Sequence, residues 1–128
     1  MANETPTARR PPKRLVTALR SRLETERAEL SAQASELEAD FADQSWRDSR
    51  CDDEAETGSA TFERERTMSL ARNARQVVTD IERALDRIAA GTYGVCVSCG
   101  SSIAAERLEA VPQTVHCVDC RRQAERLR

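Results

Sequence analysis

Four of the five cysteines in this 128-residue chain fall into two C-x-x-C pairs, Cys96 with Cys99 and Cys117 with Cys120, separated by 17 residues. Each such turn presents two thiolates from one knuckle, and two knuckles complete a tetrahedron around Zn²⁺. Gly100 directly follows the first pair, where the turn calls for a positive φ. A closed shell of four thiolates leaves no position for water, so a single structural Zn²⁺ is expected. It would supply folding energy that so short a segment cannot draw from a core. His116, the only histidine, adjoins Cys117; with four thiolates at hand it is expected to be a bystander. The fifth cysteine, Cys51, sits among carboxylates that disfavour its thiolate, so no reactive role is expected of it.

No other arrangement suggests catalysis. The chain has no glycine-rich phosphate loop, and its single histidine has no assignable nucleophile. A non-enzymatic protein is expected.

The elements that must carry the cysteines are helical. Hydrophobic residues make up 39% of the chain, but 19 of them are alanine, and only Phe41, Trp46, Phe62 and Tyr93 are aromatic. With 33% charged residues, four glycines and four prolines, one large core and a many-turned β-fold are both excluded. Residues 1–12, with Pro6, Pro11 and Pro12, read as a flexible arm. From residue 13, Leu15, Leu19, Leu23, Leu30, Leu37 and Phe41 mark one stripe of a helix. Leu70, Ala74, Val77, Ile81, Ala84 and Ile88 mark a second, at heptad spacing, and Gly91 and Gly94 stop it. Residues 13–90 are therefore expected to form an antiparallel coiled-coil hairpin, each arm of about 30 residues being roughly 45 Å long. Its tip is placed at about residues 47–60. Residues 91–128 form the zinc module, with a terminal helix. That break interrupts the seam a parallel homodimer would need, so a monomer is expected.

The tip is acidic. Between residues 48 and 56, Asp48, Asp52, Asp53, Glu54 and Glu56 stand against Arg50 alone. Such charge either keeps a solvated loop from aggregating or carries carboxylates to a cationic or metal-containing site. The whole chain has net charge -2, without the basic excess typical of duplex-DNA binders. No segment has the roughly 18 apolar residues of a membrane span, and residues 1–14 lack the apolar core of a secretory signal. A cytoplasmic address is expected.

A helical hairpin with an acidic tip, followed by a four-cysteine module, resembles the DksA/TraR family of RNA polymerase regulators. The resemblance runs from about Asp52 to the C-terminus. It rests on DDEAETGSATFER at the tip, on Tyr93-Gly94-Val95-Cys96, and on Ile103, Arg107, Leu108, Glu109, Ala110 and Pro112 between the knuckles. The first helix matches in character only, and tip and spacing are most similar to actinobacterial members. The resemblance implies a factor that binds RNA polymerase directly, without sequence-specific DNA contacts, its coiled coil entering the secondary channel and its tip nearing the active site. The family's tip motif Asp-x-x-Asp-x-Ala falls on Asp53, Glu56 and Gly58, keeping both acidic positions but not the alanine. Positions that in enterobacterial members hold the alarmone ppGpp fall on Asn73, Asp80, Val111 and Arg121, of which only Arg121 is basic. Action without ppGpp synergy is expected. Two other readings fit the residues: a zinc-ribbon and coiled-coil adaptor for another protein, and a nucleic-acid-binding module using the basic end RRQAERLR.

Overall fold

The computed structural model describes residues 10–50 and 54–127, the side chains of residues 54–57 excepted. It is helical: α1 spans Lys13–Asp48, α2 Glu54–Ala90, α3 Ala105–Ala110 and α4 Val118–Arg126. The only pairing of extended backbone among the described residues is an antiparallel bridge between Val95 and Ser102. No helix there is long and apolar enough to cross a membrane. The fold is thus mainly α, with the two long helices forming a hairpin. The chain divides into two compact units, residues 26–79 and residues 1–25 with 80–128.

In the unit of residues 26–79 the helices run antiparallel, as two ion pairs show. Arg75 forks onto Glu38 at 2.7 and 3.1 Å, and Arg64 reaches Asp48 at 2.7 Å. Ten residues further along α1, the partner lies eleven residues back along α2. The core here is thin: Ala34, Ala71, Ala74 and Val78 are its buried apolar residues. Alanine says little about register, so the polar contacts must specify it. Arg75 also donates to Ser31 and Ser35, at 3.4 and 3.2 Å. Its hydrogen bond holds the Glu38 carboxyl below the usual carboxylate range.

Two sequence expectations need correction in this unit. Leu70 is 48% exposed, and Ala71 takes the seam position; Val78 is buried where Val77 is only half-buried. The buried series 71, 74, 78, 81 keeps the alternating three-four spacing. The larger Leu70 beside Ala71, and Val77 beside an identical Val78, put two positions of the expected stripe one residue early. The connection is also shorter than residues 47–60, because α1 continues to Asp48 and α2 begins at Glu54. Gly58 therefore lies within α2, with open space where a Cβ would stand. Gly58→Ala is expected to raise stability by about 0.5–1 kcal/mol, read from thermal unfolding followed by far-UV circular dichroism, because alanine loses less backbone entropy in a helix.

The other unit packs the start of α1 and the end of α2 against the cysteine module. Its core contains Leu19, Leu23, Ile81, Ala84, Tyr93, Ile103 and Leu108. Pro12 caps α1 by accepting the Val16 N–H at 3.0 Å. Pro11 is half-buried and lies against Gly94, so packing begins inside the segment read as an arm; residues 1–9 of that arm lie outside the described residues. Gly94 has φ +87°, and a Cβ there would stand 2.6 Å from Pro11 Cδ. At the end of α2, the Gly91 N–H donates to Ile88 and the Thr92 N–H to Arg87. With Gly91 at φ +78°, this closes a Schellman cap.

Candidate metal centre

The first cysteine pair sits on a turn between the bridged residues Val95 and Ser102. The Cys96 N–H donates to Ser101 O at 2.8 Å, and the Gly100 N–H to Cys96 O at 3.0 Å. Gly100 has φ +76°, the left-handed conformation that the turn requires. The second pair opens α4: Cys117 is its N-cap, and its Sγ accepts the Cys120 N–H at 3.5 Å. The Val97 N–H donates to Val115 O at 2.9 Å and ties one knuckle to the approach of the other. Beneath them, the buried Tyr93 hydroxyl donates to Pro112 O at 2.8 Å. Burial pushes that phenol up to about 12, against a smaller pull from Arg22, so it stays a neutral donor.

This arrangement gathers all four cysteines. The sulfurs of Cys96, Cys99, Cys117 and Cys120 all lie within 4.8 Å of one another. Cys99 Sγ and Cys117 Sγ are 3.7 Å apart, far beyond a disulfide bond, and all four are free thiols. Four sulfurs around zinc at about 2.3 Å stand about 3.8 Å from one another, so the cluster fits a tetrahedral Zn²⁺. The local chemistry favours thiolate at Cys96 and Cys99. Burial pushes the Cys96 thiol up, but the backbone N–H groups of Cys117, Cys99 and Ser98 outweigh it and bring it down to about 5. Hydrogen bonds from Ser101 lower Cys99, whereas hydrogen bonds with Cys117 and Cys96 raise Cys120. Several thiols that cannot all ionise together are relieved by one divalent cation. A shell of four sulfurs gives zinc a structural role.

His116 is not in the cluster; its Nδ1 shares a hydrogen bond with the Ser98 hydroxyl at 3.2 Å. Sequence reasoning assigned no contact to the arginines around the knuckles, although Arg107 belongs to the stretch that carries the family resemblance. Arg87 Nη2 donates to Thr92 O at 3.0 Å and to Val95 O, and Arg107 Nε donates to His116 O at 3.0 Å. Among 19 arginines spread along the chain, nothing in the one-dimensional pattern ties these two to the peptide groups they hold.

The other expected sites are only partly described. Cys51 and Asp53 lie outside the described residues, Glu56 is described only as part of α2, and Gly58 is exposed. Asp80, Val111 and Arg121 line one cleft of about 530 Å³, together with Arg83, Arg107 and Glu125. The Arg121 guanidinium is paired with Glu125 at 3.2 Å. Asn73 is an exposed residue of α2.

Known proteins share these features. Residues 91–126 match the prokaryotic dksA/traR C4-type zinc finger. An uncharacterized protein of Aquifex aeolicus is 36% identical over 69 residues, covering 54% of this chain and 48% of that protein. The RNA polymerase-binding transcription factor DksA of Escherichia coli is 39% identical over 51 residues, 40% of this chain and 34% of that protein. The matched region thus spans less than half the length of these curated relatives. The structure of transcription factor DksA2 from Pseudomonas aeruginosa superposes with a TM-score of 0.72 and 27% identity, over 88% of this chain and 84% of that one.

Proposed function

Because the chain belongs to the DksA/TraR family, we propose that it is a transcription regulator that binds RNA polymerase directly. The likeness to DksA2 carries this reading, because it covers most of both chains and so includes the helical hairpin as well as the zinc finger. In this reading Cys96, Cys99, Cys117 and Cys120 hold one structural Zn²⁺, which sets the shape of the docking end. The hairpin enters the secondary channel of the polymerase, and its tip, with Asp53, Glu56 and Gly58, modulates initiation near the active site. The protein works in the cytoplasm, as a monomer, without catalysis of its own and without sequence-specific DNA contacts. Immobilised protein is expected to retain core RNA polymerase, and another secondary-channel factor is expected to compete that retention away. Retention of some other protein instead would favour an adaptor role.

We further propose that the regulator acts without ppGpp synergy. A ligand with four or more negative charges needs cationic partners at a partly desolvated interface. Here Asn73, Asp80 and Val111 stand where such partners are wanted, and Asp80 adds repulsion. Arg121 is engaged by Glu125, and Arg107 by a backbone carbonyl. Each missing charge-assisted hydrogen bond costs about 1.5–3 kcal/mol. In an in vitro transcription assay, ppGpp is expected to change this protein's effect less than twofold. A several-fold enhancement seen only when both are present would contradict this.

A further inference from the structure

We infer that Arg87 and Arg107 are positioning residues for the zinc site, each holding the peptide group that leads into one cysteine pair. The inference rests on the four-cysteine zinc reading. Arg87 donates to the carbonyl of Val95, which directly precedes Cys96. Arg107 donates to the carbonyl of His116, which directly precedes Cys117. The two arginines come from different helices, α2 and α3, yet make the same contact at the same position of each pair.

That position has mechanical consequences. A peptide group is planar, so the carbonyl of one residue and the N and Cα of the next move together. Holding Val95 O therefore fixes the plane from which Cys96 projects. The other edge of that plane is held as well, because the Cys96 N–H donates to Ser101 O at 2.8 Å. In the second knuckle, His116 O accepts from Arg107 Nε at 3.0 Å and from the Thr114 hydroxyl at 3.1 Å. The plane leading into Cys117 is thus held by two donors.

Both arginines are themselves anchored. Arg87 stands at the Schellman cap of α2, where the Thr92 N–H donates to its carbonyl while its own guanidinium donates to Thr92 O at 3.0 Å. Arg107 lies in α3, and its Nη2 also reaches Thr114 Oγ1 at 3.5 Å. A forked guanidinium can hold two acceptors at once, which a lysine ammonium does with less directional control. Charge acts in the same sense. Four thiolates with one Zn²⁺ form a dianion, and two guanidinium groups bound to the adjoining backbone oppose it. The knuckles are in this way set before metal arrives, and zinc affinity is raised because less ordering remains to be done on binding.

Chelator competition for Zn²⁺ on the full chain tests this. Arg87→Gln and Arg107→Gln are each expected to weaken zinc binding about 10-fold, and together about 100-fold, with far-UV helicity unchanged. The absorption of the Co²⁺-loaded variants is expected to broaden as the tetrahedral site loosens. Arg22→Gln is the control, since Arg22 also donates to a distant carbonyl in the same unit, Glu109 O at 2.6 Å, but to one that leads into neither cysteine pair. Parent-like zinc affinity in both glutamine variants would overturn the inference, and so would an equal loss in Arg22→Gln. Should the glutamine variants lose helicity, Arg87→Lys and Arg107→Lys decide: intermediate affinity supports the role and parent-like affinity overturns it. A parent protein that binds no Zn²⁺ would remove the zinc reading and this inference together.

Discussion

Replacing Cys99 with serine is expected to release the zinc and open the cysteine module to proteases, while the helix pair of residues 26–79 stays helical. The apparent binding free energy of a structural Zn²⁺ is about 10–16 kcal/mol, comparable with or larger than the entire stability of a typical domain. The module has little else to replace it. Of its buried side chains beyond Tyr93, only Ile103, Leu108, Pro112 and Cys96 itself come from the segment between and beside the knuckles, and α4 buries none. The helix pair draws on its own contacts, with Arg75 and Arg64 paired to Glu38 and Asp48. Elemental analysis, limited proteolysis and far-UV circular dichroism on the same samples would measure this. A variant that kept one zinc and resisted protease like the parent would refute the prediction, as would a metal-free parent with its thiols in disulfides.

The second large effect concerns the tip. Asp53→Asn combined with Glu56→Gln halves the net charge of residues 48–56, from -4 to -2, while keeping side-chain size. If the tip works by bringing carboxylates near a magnesium-containing active site, loss of two charges removes the interaction at its source. Opposite charges a few ångströms apart in a partly desolvated channel interact by several kcal/mol. Polymerase binding is expected to stay within about threefold of the parent, since contact area along the helices and module is untouched. The effect on transcription from a responsive promoter is expected to vanish. A double variant that regulates as well as the parent would leave the tip as a solvated cap on the hairpin.

The parts of this fold legible in the sequence were those encoded by few residue types at fixed spacing. Two C-x-x-C pairs are one such code, and the thiolates of Cys96, Cys99, Cys117 and Cys120 come together as that code requires. Gly91 and Gly100 are another, since both adopt the positive φ that a helix end and a turn demand. The seam was harder. Where alanine fills it, size no longer separates buried from exposed positions, so Leu70 masked Ala71, and residue type could not tell Val77 from Val78. The roles of Arg75, Arg87 and Arg107 were invisible for a different reason. An arginine acts at the end of a long flexible stem, so its neighbour in sequence says little about its partner in space. Serine and backbone acceptors far along the chain, such as Ser31 for Arg75, carry no pattern of their own.

The contact between Pro11 and Gly94 sets a practical boundary for anyone trimming or fusing the molecule. The pyrrolidine ring occupies the space where any other residue at 94 would carry its side chain, so the two positions are fitted as a pair. A fragment cut at the first helical residue, Lys13, would retain every turn of α1 and still leave the backbone beside the first knuckle uncovered. Fusion partners and tags therefore belong ahead of residue 10, joined through residues that leave the proline free to seat.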